Sequence, residues 1–336
     1  MKQYAVEFEY YRELHRNRNR IAEFVAENDS TDFRRKAWDL DKWKFIPSVQ
    51  RALQHKPDAK WLMFIECDSY LIWSNLLHWI AQLDSTKPYF LGLPVTMHEQ
   101  LFAYGGAGWL LSRAAAEQMA RHVASQADGY ESFTNGAGYG DLVLGHVLER
   151  AGVPLTGAWP VIQRETPSTM EYTVDVMCHP VVTFHHIEKA EISAIWDLEQ
   201  EWIASGGETE AGPQTLPPLL HVDIFTRVVY PHLTTRMDDW DNFSDGEEKT
   251  LAHSEGFDKC KRYCEEDERC VQFRVTSTAK TRKCTLSNSV TLGWQAAGDG
   301  VSLDQERSVS GWMMERIDQI KRSVRCNGAN WPTSII

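Results

Sequence analysis

Hydrophobic positions in the first 56 residues recur mostly at helical spacing. Aromatic and aliphatic residues are spaced in this way from Tyr4 to Phe24, and the polar run 28–31 ends the segment. A second helix is predicted to begin near Asp39. Its apolar face comprises Leu40, Trp43, Ile46 and Val49. The chain is therefore expected to begin with helices.

A different pattern starts at Trp61, where five consecutive apolar residues run to Ile65. Such a run predicts a strand that is buried on both faces. Shorter strands are expected at 89–93 and 180–184. Helices are expected between and after these strands, at 74–83, 114–122, 141–150 and 192–203. Strands that alternate with helices predict an α/β fold with a mostly parallel sheet.

Residues 204–220 interrupt this pattern, because glycine, proline and acidic residues replace the periodic apolar positions. We therefore expect one domain over 1–203, a linker and connecting segment over 204–253, and a separate module over 254–336. Five of the seven cysteines fall within this last part of the chain. This crowding favours a disulfide framework made in an oxidising compartment. A zinc site is the competing interpretation, which the absence of a second closely spaced cysteine pair disfavours.

Charge and composition narrow the range of functions. The formal net charge of -12 argues against a nucleic-acid partner, although an acidic chain can bind an anionic sugar nucleotide through a cation. No segment reaches the roughly 18–20 apolar residues that a membrane span needs, so no span is expected in this sequence. Two glycosylation sequons, at Asn28 and Asn242, agree with a secretory route.

Polar residues that could hold a metal follow two of the predicted strands. Glu66 and Asp68 come directly after the apolar run, and carboxylates at the end of a buried strand suit Mn²⁺ or Mg²⁺. His185 and His186 follow the strand at 180–184 and could complete the metal shell. The alternatives are an ordinary acidic turn and a histidine pair that caps a neighbouring backbone group.

Further candidate chemistry lies between these two motifs. The glycine-rich turn 105–108 lets the backbone approach a ligand closely, but it is also compatible with a simple turn. Trp109 beside it could stack on a sugar ring or belong to the core. Asp141 opens a predicted helix, where it could serve as a general base or as an ordinary first-turn acid.

The order of these motifs along the chain resembles glycosyltransferase family 31, which includes Fringe and the core-1 β1,3-galactosyltransferases. The segments that carry the resemblance are 61–70, 102–113, 140–145 and 183–186. Leu40-Asp41-Lys42 and the Glu-x-Asp form of the metal motif are similar to the fungal branch. The resemblance covers roughly residues 36–203. It implies a GT-A type, Rossmann-like mixed sheet, of which the family's first strands are expected to be missing here.

The resemblance also implies a role for each motif. Asp68 would be the principal ligand of Mn²⁺ or Mg²⁺ with support from Glu66, and one histidine, His185 in preference to His186, would be the second ligand. Asp141 would be the catalytic base. The implied substrate-binding residues are Lys42, Tyr70, Gly105, Gly106, Gly108 and Trp109.

The implied activity is that of an inverting hexosyltransferase. It would transfer a sugar, with galactose as the first candidate, from a UDP-sugar to a glycan or glycoprotein in β1,3 linkage. Such an enzyme is expected in the secretory pathway, in the Golgi lumen as a type II membrane-anchored protein, or secreted. The alternative function is a non-catalytic glycan- or protein-binding protein built on a truncated transferase scaffold.

The C-terminal module resembles a PAN/apple module, a small disulfide-rich α+β domain. This resemblance implies the pairs Cys260–Cys284 and Cys264–Cys270. Cys178 could then pair with Cys326, which would leave Cys67 as a free thiol. Apple modules bind proteins or carbohydrates, so the module is expected to hold or present an acceptor.

Overall fold

The computed structural model describes residues 5–28, 31–97, 99–205, 216–296 and 307–332. The chain forms two compact units, each built from separate stretches of sequence. Unit 1 comprises residues 1–67, 80–162 and 332–336, and unit 2 comprises residues 68–79 and 163–331. The domain boundaries that the sequence predicts near 204 and 253 stay a prediction.

The helices are α1 (Ala5–Arg16), α2 (Ile21–Glu27), α3 (Thr31–Asp41), α4 (Phe45–His55), α5 (Trp73–Ile80), α6 (Arg113–Ser125), α7 (Ala127–Gly136), α8 (Gly140–Arg150), α9 (Val174–Met177), α10 (Lys189–Ser205), α11 (His221–Ile224), α12 (Phe257–Glu266) and α13 (Met314–Ser323). The strands are β1 (Trp61–Phe64), β2 (Tyr70–Leu71), β3 (Phe90–Gly92), β4 (Pro94–Met97), β5 (Gln100–Ala103), β6 (Trp109–Ser112), β7 (Leu155–Gly157), β8 (Thr183–Phe184), β9 (Met237–Asp238), β10 (Trp240–Asp241), β11 (Glu248–Thr250), β12 (Gln272–Ser277), β13 (Arg282–Ser287), β14 (Trp294–Gln295) and β15 (Arg307–Trp312).

The helices near the N-terminus are shorter than the sequence pattern predicts. The long helix expected over Tyr4–Phe24 is interrupted at Asn17, whose side-chain amide donates to the Glu13 carbonyl at 2.9 Å and competes with helical bonding. The prediction that a second helix begins near Asp39 is also wrong, because α3 ends at Asp41 and α4 begins at Phe45. The break between them lets α4 pack against α6 and α8.

The sheet of unit 1 has the strand order β1-β6-β3-β7. In the described residues β6 runs antiparallel to both β1 and β3, and only β3 and β7 are parallel. The mixed α/β architecture is confirmed, but the expectation of a mostly parallel sheet is wrong. An apolar run does not determine the direction of the neighbouring strand. The expected burial of this run on both faces is also wrong, because in β1 only Leu62 is buried, whereas all four residues of β6 are buried.

The core of unit 1 lies between this sheet and helices α4, α6 and α8. Phe45 and Val49 of α4 pack with Trp109 and Leu111 of β6. Helix α6 begins where the Ser112 hydroxyl accepts a hydrogen bond from the Ala115 N–H, which satisfies one of the free donors of the first turn.

Unit 2 contains an antiparallel sheet in the order β11-β13-β12-β15-β9. Its main core joins residues from 170–233 with residues from 271–317, so the C-terminal part of the chain shares a core with the segment before it. Bonds Cys260–Cys284 and Cys264–Cys270 link α12 to the sheet and its flanking turn, and Cys178–Cys326 closes a much longer loop. Cys67 is free and exposed. These observations confirm the expected pairings.

The sequon at Asn242 is not an accessible glycosylation site in this fold. The Asn242 side chain is buried, and its amide donates to the Phe273 carbonyl at 3.2 Å. The Ser244 hydroxyl in turn donates to the side-chain Oδ1 atom of Asn242 at 2.9 Å. Across the described ranges, no helix combines the length and apolar character needed to span a bilayer.

Candidate functional site

Asp68, His185 and His186 form the group of potential metal ligands in unit 2. One ligand atom from each residue lies within 4.8 Å of the others. The His185 Nε2 atom is 3.4 Å from the Asp68 Oδ1 atom, and the two imidazole rings have centroids 3.9 Å apart at an angle of 80°. His185 is buried, whereas Asp68 and His186 are exposed, so the group opens to solvent on one side.

The short ribbon of β2 and β8 brings these three residues together. The antiparallel register pairs Tyr70 with Phe184, so residues just before β2 lie opposite residues just after β8. The Ile187 N–H extends this pairing by donating to the Asp68 carbonyl at 3.1 Å. Consecutive strand residues normally point to opposite faces, but His186 has φ of 56°. This left-handed conformation turns its ring towards that of His185.

The chemistry of the three side chains fits a divalent metal ion. One carboxylate and two imidazoles form a mixed oxygen and nitrogen set that suits Mn²⁺ and related transition metals better than Mg²⁺, which prefers oxygen. Two atoms that each lie about 2.1 Å from one ion are at most about 4.2 Å apart. The observed limit of 4.8 Å is slightly wider, and rotation of the exposed Asp68 or His186 side chain can close this difference.

Glu66, the other acidic residue of the motif, lies in unit 1 and pairs with Lys44. The Lys44 Nζ atom is 2.8 Å and 3.0 Å from the two Glu66 carboxylate oxygens, and 2.6 Å from Asp41 Oδ1. Burial lowers the pKa of Lys44, but the bonds to Asp41 and Glu66 outweigh burial and raise it. The three residues therefore form a charged network, of which Lys44 and Glu66 line a cleft of about 190 Å³. The metal role of Glu66 stays a prediction.

Asp141 lies in the first turn of α8 and bonds to the glycine-rich turn. Its Oδ2 atom accepts a hydrogen bond from the Gly105 N–H at 2.9 Å, and its Oδ1 atom accepts one from the Leu142 N–H at 2.8 Å. Burial raises the pKa of Asp141, the backbone hydrogen bonds oppose this, and the negative charge of Asp41 adds to it. A carboxylate with a raised pKa is a stronger base than an ordinary aspartate. The two backbone N–H groups hold the carboxylate in place and bring no positive charge to it.

The glycines of the turn 105–108 are explained by close packing. A Cβ atom on Gly105 would lie 3.2 Å from the Asp141 Cβ, so glycine lets the turn approach α8. Gly108 has φ of 89°, and a Cβ there would lie 3.0 Å from the Phe64 carbonyl. Gly106 lies in the same turn and is partly exposed. Binding of substrate by these three glycines stays a prediction.

Trp109 belongs to the core of unit 1. Its side chain is 2% exposed, and its ring stacks on Phe64 with centroids 3.9 Å apart. Phe45 and Phe90 also contact the ring. The structure therefore favours the core alternative for Trp109 over stacking on a sugar.

Lys42 and Tyr70, both expected to bind substrate, make structural contacts. The buried Lys42 ammonium donates to the Asn135 and Ala137 carbonyls, at 3.0 Å and 3.3 Å, and so caps the end of α7. The Tyr70 hydroxyl in unit 2 donates to the Glu199 carboxylate at 2.5 Å. Burial raises the pKa of both Tyr70 and Glu199. Their direct role in substrate binding stays a prediction.

Sequence reasoning missed two features of unit 1. Lys44 was not singled out, although a lysine three residues after Asp41 is a common partner for an acid on a helix. The exposed ring of Trp38 was missed as well, because no periodic pattern distinguishes it from a core residue. Only the folded arrangement shows that Trp38 contacts Tyr139 at the start of α8.

Comparison with known proteins indicates the family of this chain. Residues 15–194 match the family model described as Fringe-like. A mouse β-1,3-glucosyltransferase is 26% identical over 180 residues, which are 51% of this chain and 35% of that protein. The human β-1,3-glucosyltransferase is 27% identical over 178 residues, 50% of this chain and 34% of that protein. The matched part thus spans about a third of the length of these curated relatives. The matched region contains Asp68, Asp141 and both histidines.

Proposed function

This chain belongs to the Fringe-like family, and we propose that it is a metal-dependent glycosyltransferase that moves a hexose from a UDP-sugar to a hydroxyl of a glycan or glycoprotein. The observation that carries the proposal is the group of Asp68, His185 and His186, whose ligand atoms converge within 4.8 Å. A carboxylate and two imidazoles at the end of a two-stranded ribbon have a donor set suited to Mn²⁺. The resemblance to Fringe that the motifs indicate is confirmed, whereas the fungal branch and the PAN/apple module stay predictions.

The proposed chemistry divides between a metal site and a base. A metal held by Asp68, His185 and His186 would supply positive charge that offsets the charge of the departing UDP. Asp141 takes the proton from the acceptor hydroxyl, whose oxygen then attacks the anomeric carbon from the side opposite the leaving group. One displacement of this kind inverts the anomeric configuration.

We propose a β1,3 linkage and glucose as the first donor to test. Both curated relatives carry the name β-1,3-glucosyltransferase, which favours glucose over the galactose expected from the motifs alone. The three disulfides agree with synthesis in an oxidising compartment, and we propose the Golgi lumen of the secretory pathway as the place of action. Comparing hydrolysis of UDP-glucose with that of UDP-galactose by the purified chain tests the donor directly.

Calorimetry of UDP binding with and without Mn²⁺ tests the metal site. We expect UDP binding by the wild type to require Mn²⁺ and to be lost in Asp68→Ala, because that change removes the carboxylate ligand. Asp197→Ala is the matched control, since Asp197 is an exposed aspartate on α10 of the same unit. UDP binding that is absent in the wild type, or unchanged in Asp68→Ala, would contradict the proposal and favour a non-catalytic binding protein.

A further inference from the structure

Two large aromatic side chains lie exposed together on unit 1. Trp38 on α3 is 62% exposed, and Tyr139, the residue before α8, is 40% exposed. Their ring centroids are 6.2 Å apart and their planes meet at 87°. Tryptophan is highly buried on average, so a paired and exposed tryptophan marks a surface that is suited to a ligand.

The backbone around this aromatic pair is fixed by packing. Lys42, at the end of α3, bonds to the Asn135 and Ala137 carbonyls, which lie just before Tyr139 in the chain. Gly140 also touches this region, because a Cβ there would lie 2.8 Å from the Lys42 Cα. The end of α3 and the start of α8 are therefore held against each other. A surface that is rigid before binding loses less entropy when a ligand binds.

The pair also lies next to the proposed base. Tyr139 precedes Asp141 by two residues, so their Cα atoms are within about 7 Å of each other. Asp41 follows Trp38 by three residues and therefore lies on the same face of α3. The surface combines aromatic faces with carboxylates that can accept hydrogen bonds from hydroxyl groups. It is mixed in character, unlike the apolar patches that bind proteins.

We propose that Trp38 and Tyr139 form a platform for the sugar of the acceptor. The ring of a pyranose has an apolar C–H face that can pack on an aromatic ring, while its hydroxyls bond to Asp41 and present one oxygen to Asp141. This inference rests on the proposed function, because it assigns the acceptor side of the same reaction. It names the acceptor as a carbohydrate rather than a bare peptide.

Saturation-transfer NMR tests the platform directly. Protein signals in the aromatic region are saturated in the full chain with Mn²⁺ and UDP present. Saturation transfer is then measured at increasing concentrations of the methyl α- and β-glycosides of glucose, galactose, mannose and N-acetylglucosamine. We expect at least one glycoside to bind the wild type. Its Kd should rise about two- to tenfold in Trp38→Ala and in Tyr139→Ala, the range expected for loss of one aromatic contact.

Two further variants separate stacking from a general loss of structure. Trp38→Phe keeps an aromatic face and should change the Kd by less than about twofold. Trp196→Ala is the matched control, because Trp196 is a 56% exposed tryptophan on helix α10 of unit 2. It should bind the glycoside as the wild type does. Thermal unfolding by circular dichroism checks that every variant is folded.

The outcomes distinguish the platform from the proposed function. The platform is overturned if no glycoside binds the wild type, or if the Kd is the same in the wild type and both alanine variants. Calorimetry on the same samples shows whether Mn²⁺-dependent UDP binding is present. If UDP does not bind but both alanine variants bind the glycoside more weakly than the wild type, the transferase proposal alone is overturned. If UDP binding requires Mn²⁺ but both alanine variants bind the glycoside as the wild type does, the platform alone is overturned.

Discussion

At the scale of single residues, Asp141 has structural contacts that are compatible with the chemical role proposed for it. Its carboxylate accepts hydrogen bonds from the Gly105 and Leu142 N–H groups, which joins α8 to the glycine-rich turn. Burial nevertheless raises its pKa, because the hydrogen bonds only partly replace the lost hydration. The first-turn acid and the general base, which the sequence leaves as alternatives, are compatible with each other in this geometry.

Replacing Asp141 with asparagine should separate these two roles. The amide oxygen of the new side chain could still accept the bond from Gly105, so we expect Asp141→Asn to fold and to bind UDP with Mn²⁺ as the wild type does. The amide could not take a proton, so transfer should fall by about a hundredfold or more. Transfer by the wild type should rise with pH as Asp141 ionises, with a midpoint above the ordinary aspartate pKa of 3.8. Loss of both UDP binding and transfer would instead indicate a role in folding.

Lys42 provides a second test at this scale, because its contacts are structural. Lys42→Ala leaves two carbonyl groups at the end of α7 without their ammonium donor. We expect the free energy of unfolding to fall by about 1–3 kcal/mol, the typical effect of breaking a buried charged hydrogen bond. Lys56→Ala, which removes an exposed lysine of the same unit, should have little effect. Weaker UDP binding with unchanged stability would favour the substrate-binding role instead. Denaturant titration and calorimetry measure the two quantities.

At the scale of secondary structure, elements were predictable where the local pattern was strong. The helices expected at 114–122 and 141–150 are found as α6 and α8, because their apolar periodicity and starting residues act locally. Strand direction was not predictable from β1, since an apolar run contains no information about its partner. The residue types of the candidate metal site, Asp68, His185 and His186, were visible in the sequence near two predicted strand ends. The left-handed turn at His186, which brings the rings together, has no signal in the sequence.

The hydrogen bond between Tyr70 of β2 and Glu199 of α10 leads to a prediction about how the stability of the protein depends on pH. Burial raises the pKa of Glu199, so its ionised form is less stable in the folded than in the unfolded protein. Its contribution to stability is therefore complete below the ordinary pKa of 4.5 and is lost as pH rises through the higher folded pKa. Glu199→Gln keeps an acceptor for Tyr70 and cannot ionise. We expect the wild type to lose stability relative to this variant as pH rises above 4.5.

Urea unfolding at a series of pH values from about 4 to about 8 measures this difference. The comparison with Glu199→Gln removes the contributions of Asp141 and Asp223, whose pKa values burial also raises. Tyr70→Phe is the control for the hydrogen bond, because it removes the donor and leaves the carboxyl group buried. A stability difference between wild type and Glu199→Gln that is independent of pH would contradict the assignment.

At the scale of the whole molecule, the disulfide pairs were predicted better than the division into units. The two short pairs in the C-terminal part were predicted from the likeness to a known module, and the long-range pair Cys178–Cys326 was predicted as one possibility beside them. The division into two units was not predictable, because each unit combines stretches that are distant in sequence. Such long-range packing depends on tertiary contacts rather than on local preference.

The three disulfides should differ in their contribution to stability because they close loops of different length. Sequence separations are 148 for Cys178–Cys326, 24 for Cys260–Cys284 and 6 for Cys264–Cys270. In the chain-entropy model, these loops correspond to about 5, about 3.5 and about 2.4 kcal/mol, because a longer closed loop removes more conformations from the unfolded chain. Replacing both Cys178 and Cys326 with alanine should therefore lower the free energy of unfolding most.

Denaturant unfolding of the three double-alanine variants under non-reducing conditions measures this order. Thiol labelling of the unfolded wild type should first find one free thiol, Cys67, since the other cysteines are paired. Each double variant should still show that single thiol, which verifies that the remaining bonds have formed. If the Cys264–Cys270 variant lost as much stability as the Cys178–Cys326 variant, loop length would not be the controlling factor. The packing of α12 against β12 and β13 around Cys264 would then account for the difference.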